Sequence, residues 1–234
     1  MIDKNVSSTY NKRKKFLDYS EASYMGIGRS KELRKNGPPD KDKLPPGGLK
    51  IIDAFILLLR TKEFSSITTA EIAEVSGVNE SLIYRYFGSK RELLHSVLFY
   101  FVEDYFKDIS LKLRGLRGSL NKLRKIIWEH IYLYQHDLVF AKILLLEVRN
   151  HPGYFQSETH QVVHKYTKVT REIIEEGIRE GDIRNDISSW IIMQIVMAGI
   201  EHLSMPTLLF QKNLTTDELT DHFCNILFEG IKKV

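Results

Sequence analysis

Cysteine, proline and long apolar runs are all scarce in this chain. Its 234 residues include one cysteine, Cys224, so no disulfide can form within the chain and a reducing compartment fits. That cysteine falls in "HFCNILF", where a small core residue is the ordinary reading and a nucleophile the rare one. Residues 1–30 lack the continuous apolar stretch of a signal peptide. Runs such as "AFILLL" stop far short of the ~20 residues that a membrane span needs. A soluble cytoplasmic protein without a membrane partner is expected. No Asn-Gly or Asp-Gly pair has alternating apolar flanks, which removes the main hairpin signal and argues against a sheet. Nucleophile–base pairs, a phosphate loop and a complete metal set are also missing, so the chain does not read as an enzyme and no cofactor is expected.

Charge is nearly balanced at +4, but it is unevenly spread. Residues 1–50 carry 12 Lys+Arg against 6 Asp+Glu, while the remainder is slightly acidic. A basic N-terminal fifth points to a polyanionic partner at that end. Four of the six prolines also lie within residues 1–48. This segment buries little and reads as a basic arm or linker, with a short helix near Ser8–Tyr24 and a boundary at "PPGG", Pro45–Gly48.

Beyond that boundary the apolar spacing is helical. Ile51, Ile52, Phe55, Ile56 and Leu59 line one helix face. Further helices are predicted at about 69–76, 80–86, 90–112, 119–136, 138–150, 155–180, 187–204 and 216–232. The fold class expected is all-α, with about nine helices. Its organisation would be an arm over 1–48, a three-helix helix-turn-helix domain over 49–95 and a helical bundle over 96–234.

The most informative stretch is "TTAEIAEVSGVNESLIYRYFGSK", Thr68–Lys90. Thr68 with Glu71, and Ser89 with Glu92, have capping-box spacing and mark helix starts near Thr69 and Lys90. Gly77 can adopt φ > 0 and turn the chain, and Asn79 can cap the next helix. Two short helices joined at a glycine make a helix-turn-helix, whose second helix can enter a DNA major groove. Val78, Ile83 and Phe87 supply that helix with an apolar back. Glu80, Ser81, Arg85 and Tyr86 are read as the opposite, groove-facing side. An ordinary helical hairpin with a solvated face is the bland alternative. The combined caps, turn and Tyr-Arg-Tyr triplet weigh against it.

At these residues the sequence resembles the TetR family of bacterial transcriptional regulators, over Leu49 through Leu94. "TTAEIAEVSGV" is similar to the family's second helix and turn, and "SLIYRYFGSKRELL" to its recognition helix and the start of its fourth. The resemblance implies phosphate contacts at Tyr84 and Lys90. It places Thr69, Ala70, Glu80, Ser81, Leu82, Arg85 and Tyr86 at or near the groove. Three features depart from the pattern. Leu82 stands where a small residue or threonine is frequent, and could meet a thymine methyl. Glu80 is acidic, suited to a cytosine amino group or to rejecting wrong sequences. The arm before the first helix is unusually long. Residues 51–94 carry five basic against six acidic residues, so arm cations along the phosphates would help, although a solvated tail fits equally.

The resemblance also implies a homodimer through the last two helices, at about 187–204 and 216–232. The first is apolar nearly all round, at Trp190, Ile191, Ile192, Met193, Ile195, Val196, Met197 and Ile200, and Ala198 and Gly199 would allow close helix approach. Ser119 to Gly181 would be the body that binds a small lipophilic effector. Candidate ligand contacts there and on the next helix are Trp128, Tyr132, Phe140, His164, Tyr166 and Met193, with His130 and Gln135 as further polar groups. For such an aromatic stripe core packing is the more ordinary use. His160 and His164 have a zinc-like spacing but no third ligand, so no metal is expected. The function implied is a ligand-responsive transcriptional regulator. It would repress from a palindromic double-stranded operator and be released when effector shifts the fourth helix. A helical protein-interaction module that kept the hairpin without binding DNA is the alternative.

Overall fold

The computed structural model describes residues 38–149, 151, 154–210, 212 and 215–232. The short helix expected near Ser8–Tyr24, with most of the basic arm, lies outside them. Nine α-helices occur among the described residues: α1 Pro46–Thr61, α2 Thr69–Ser76, α3 Ser81–Phe87, α4 Lys90–Lys112, α5 Ser119–His136, α6 Leu138–Lys142, α7 Glu158–Glu180, α8 Ser189–Phe210 and α9 Thr216–Ile231. No strand is found there, only an isolated antiparallel bridge between Ile183 and Lys232.

The start of α1 differs from expectation, because "PPGG" runs into the helix instead of ending before it. Proline suits a first helical turn, where its missing N–H would have no partner anyway. Gly48 is buried with Leu44 Cδ2 3.0 Å from where a Cβ would stand, so this glycine serves close approach. Ile51, Ile52, Phe55, Leu58 and Leu59 then face inward. They receive Ile72 and Ala73 of α2, Ile83 and Phe87 of α3, and Leu93 and Leu94 of α4.

Beyond this head α4 continues into the body and packs on α7. The centre of the body is α5, which touches α7, α8 and α9 and buries Leu123, Ile126, Ile127 and Ile131. The single helix expected over 138–150 is interrupted. After Lys142 the chain winds as a π-helix, Ile143–Val148, a wider turn that is rare in proteins. Pro206 does not end α8, which continues to Phe210. A proline there removes one i→i−4 bond, and a helix packed on its neighbours can absorb that loss.

One face of α8 is buried through Ile192, Met193, Val196, Met197 and Ile200. At Gly199 an added Cβ would lie 2.4 Å from the Phe223 ring, so this glycine admits α9 of the same chain. Other apolar groups on the pair face outward: Ile195, Phe210 at 69% exposure and Ile226 at 77%. By length and composition α8 is apolar enough to cross a membrane, a property that counting uninterrupted runs misses. Its packed stripe is what a bundle's core helix also shows.

Candidate nucleic-acid interface and effector body

The turn between α2 and α3 is built by local chemistry. Thr68 Oγ1 accepts from the Glu71 amide at 3.1 Å and starts α2. Gly77 closes that helix in the left-handed region, φ 66°. Asn79 Oδ1 accepts from the Ser81 amide at 2.9 Å, and Ser89 Oγ from the Glu92 amide at 3.1 Å. Both predicted capping serine/threonine positions and the Asn79 cap are therefore present. Ile83 and Phe87 are fully buried, which fixes the rotation of α3 about its axis and decides which groups it can present.

The presented groups are Ser81, Tyr84 and Arg85, all exposed. Arg85 makes no hydrogen bond or ion pair with another described residue. Ala70 of α2 is exposed beside them. Thr69 and Glu80 are half-buried and bonded to each other, hydroxyl to carboxylate. The Thr69 hydroxyl also lies 3.2 Å from the Tyr84 hydroxyl. This chain of contacts ties α2 to α3 and holds the Glu80 carboxylate at the head of α3.

Three of the expected groove residues have contacts within the chain. Tyr86 is expected opposite Val78, but Val78, Leu82 and Tyr86 all surround Gly47, at 3.8, 3.7 and 3.9 Å from a Cβ placed there. Half-buried Leu82 and Tyr86 thus pack α3 onto the first turn of α1, since glycine leaves room for them. Lys90 is half-buried and engaged within the chain. Its ammonium donates to the carbonyls of Phe64 at 2.9 Å and Ile67 at 2.5 Å and sits 4.4 Å from the centre of the Phe64 ring. Burial, then the neighbouring Arg91 charge, lowers its pKa. Lys90 clamps the α1–α2 connection, and the amides at the start of α4 remain for a phosphate.

The candidate effector residues fall in separate places. Trp128 and Tyr132 stack at 5.0 Å on the outer face of α5, and the Trp128 indole donates to Asp217 at 2.6 Å. With Gln135, His136, Thr207 and Thr216 they line a cleft of about 400 Å³ beside the start of α9. Phe140 is buried between Tyr134, stacked at 5.9 Å, and Phe101. Tyr166 is buried deeper, its hydroxyl 3.0 Å from His130 Nδ1 and 3.5 Å from the Tyr105 hydroxyl. Burial pushes the His130 pKa down to about 4 and the Tyr105 and Tyr166 hydroxyls upward. His130 is therefore neutral at pH 7. Met193 is buried on α8. His164 is exposed on α7, its ring centre 6.1 Å from that of His160. No group of three metal-ligating side chains occurs among the described residues.

Sequence reasoning passes over the body's charged anchors. Glu129, 3% exposed, accepts from Lys112 and Lys125, each at 2.7 Å. Arg149, just after the π-helix, bonds Glu201 of α8 at 2.5 Å. For Glu129 the lone carboxylate inside the apolar run "IIWEHIYLY" is the available signal, since a buried charge needs a partner.

Comparison with known proteins agrees with this geometry. Residues 51–97 match the model of the bacterial regulatory proteins of the tetR family. Residues 100–230, more than half of the chain, match the model of the YsiA-like protein C-terminal region. The chain belongs to the TetR family. Among TetR-family relatives, the fatty acid metabolism regulator protein of Bacillus subtilis is 23% identical over 186 residues, which span 80% of this chain and 96% of the relative. The solved structure of the B. subtilis transcriptional regulator FadR in complex with stearoyl-CoA superposes with a TM-score of 0.71 at 21% identity, covering 78% of this chain and 98% of that one. AibR, solved with isovaleryl coenzyme A and operator DNA, gives 0.65 at 16% identity over 78% and 98%. At these identities the structures establish a common fold. With the helix-turn-helix in place, this TetR-family chain is a DNA-binding transcriptional regulator.

Proposed function

We propose that the chain is a cytoplasmic, homodimeric repressor that reads a palindromic operator with α3 and releases it on taking up an acyl thioester or a similar lipophilic effector. The observation that carries the DNA reading is Arg85. Its exposed guanidinium has no partner among the described residues, on a helix whose other face is locked by Ile83 and Phe87. A free guanidinium beside Ser81 and Tyr84 is suited to a guanine edge or a phosphate. Ala70, Thr69 and Glu80 border the same surface, with Leu82 and Tyr86 setting its tilt. A helical interaction module would instead present an apolar patch there.

The dimer reading rests on Ile195, Phe210 and Ile226, which the chain's own packing leaves uncovered. An isologous pairing through α8 and α9 would cover them and set two α3 helices at a fixed spacing. The effector class is supported by the TetR-family structures solved with stearoyl-CoA and isovaleryl coenzyme A. Within this chain an apolar body with a few polar groups, Tyr105, His130 and Tyr166, suits such a tail.

The test is fluorescence anisotropy with DNA flanking the protein's own coding region, at two salt concentrations. Specific binding that weakens with salt and is reversed by stearoyl-CoA is expected. Arg85→Ala should weaken it by about 10–100-fold, the range for one good side-chain-to-base contact, while the variant stays folded and dimeric. Unchanged affinity in that variant would remove Arg85 from the interface.

A further inference from the structure

Two polar nitrogens are buried near the start of α4. Nη1 of Arg91 and Nδ1 of His95 are both sealed from solvent and lack a hydrogen-bond partner among the described residues. His95 as a whole is 6% exposed. The two residues are one helical turn apart and so share a face of α4. A guanidinium N–H shut away without an acceptor carries a desolvation cost that native proteins avoid. An acceptor therefore belongs at this position.

The surroundings indicate what kind. The Arg91 guanidinium lies 4.8 Å from the centre of the Phe64 ring, the same ring that Lys90 covers. From α7, the Thr159 hydroxyl donates to the His95 carbonyl at 3.3 Å. The His95 pKa is lowered to about 4 by burial, then by the charges of Arg91 and of His151, which lies just beyond the π-helix. The Arg91 guanidinium is thus the permanent charge acting on His95, from α4 itself. Glu147, on the π-helix, acts on Lys90. A cation would be repelled here, and an apolar group would leave the N–H unmet. An oxyanion meets Arg91 directly and, by favouring the imidazolium, gains His95 as a second donor.

We propose that Arg91 and His95 form an oxyanion site at the joint between the DNA-reading head and the body, taking a carboxylate or phosphate of an amphiphilic effector. This rests on the effector reading above and gives it an anchor on α4. Drawing Arg91 toward the anion takes it off the Phe64 ring. Phe64 also supplies a carbonyl to Lys90, so the clamp that fixes the α1–α2 connection loosens. Effector binding would then act on the reader through a single ring, without first moving the far end of α4.

The test uses the full-length dimer labelled with ¹⁵N-histidine, the His95 signals being assigned with His95→Gln. Four probes are added separately: inorganic phosphate, coenzyme A, stearate and octadecanol. Stearate or coenzyme A should shift the His95 signals and raise its pKa toward neutrality, the first marking a carboxylate and the second a phosphate; octadecanol should not. Calorimetry should show Arg91→Gln and His95→Gln weakening the effective probe by about tenfold or more. Arg91→Lys, which keeps the charge, should recover part of that and report that the head remains folded. His95 signals unmoved by every oxyanion would overturn the site, leaving a buried water as the acceptor. So would variants that bind stearate and coenzyme A as the parent does. If those variants still leave the operator with stearoyl-CoA like the parent, the site fails and the regulator reading stands. If the parent itself never leaves the operator, the effector reading fails while the His95 signals still decide the site.

Discussion

The two ends of α4 are fastened differently, and the contrast indicates where a signal can enter. At the head end the ties are short and directional. Ser89 caps the helix, Lys90 holds two main-chain carbonyls, and two cations share the Phe64 ring. At the body end the ties are charges. The tie to α5 is the ion pair of Lys112 with the buried Glu129 at 2.7 Å, Asp108 of α4 itself lying 2.6 Å away on the other side. Hydrogen bonds to fixed carbonyls lose most of their value with a small displacement, whereas Coulomb attraction falls off slowly with distance. The body end can therefore give slightly and stay attached. The head end is in place or it is lost, which is how a reading helix should be held if it is to be switched.

A buried neutral histidine stands at each end, His95 on α4 itself and His130 on α5, and acid should break the comparison most. His95 at the head and His130 opposite Tyr105 both have pKa values held near 4 by burial, against ~6.5 in an unfolded chain. Their contribution is complete above about pH 6.5 and is lost as pH falls from there toward 4, where the unfolded state takes up protons that the native state refuses. For each group the full loss is about 3 kcal/mol. Urea midpoints at pH 7 and pH 4.5 measure it, and His130→Gln should show a flatter slope than the parent. An identical slope in that variant would mean that other groups carry the acid sensitivity.

Glu129→Ala comes next. It should cost about 2 kcal/mol, below the ~3–5 kcal/mol of a fully buried pair, because Lys112 and Lys125 are about a third exposed and can turn to water. Its effect should appear in stability at pH 7 and hardly in operator affinity. Lys90→Met should behave the other way. Losing two donors to the Phe64 and Ile67 carbonyls costs about 1–2 kcal/mol, and operator binding should weaken along with it, although Lys90 touches no base in this reading. If Lys90→Met binds operator like the parent, the head end is not the stricter joint. The smallest effect is Gly77→Ala. Its Cβ would meet nothing within 4 Å, so only the left-handed backbone is penalised, by about 1 kcal/mol, readable in a thermal melt.

The same contrast separates what was legible in the sequence from what was not. Thr68 with Glu71, Asn79 with Ser81, and Ser89 with Glu92 lie two or three residues apart, and spacing alone states those bonds. Gly77 likewise declares its own backbone. Lys90 with Phe64 is 26 residues apart and Tyr105 with Tyr166 is 61, and nothing in either neighbourhood names the other. The bonds of Lys90 to carbonyls of the connection before α2 are therefore invisible in the sequence. Tyr86 reads as groove-facing because a helical wheel of α3 cannot know that Gly47 leaves room on the other side. Body aromatics are identifiable as a set, but which ones meet depends on how α4, α5 and α7 cross. Trp128 and Tyr132 consequently end on an outer cleft while Tyr166 is enclosed.

The π-helix at Ile143–Val148 has a consequence for how this chain could vary in length. Such a turn is an α-helix carrying one residue too many. A variant with one residue deleted there would rewind as plain helix, and Lys142 could still reach the carbonyl of Lys62, 3.2 Å away, with Arg149 still on Glu201. The same deletion in the middle of α5 would rotate half of that helix out of the core. Indels between related chains should therefore be tolerated at this turn and purged a dozen residues earlier.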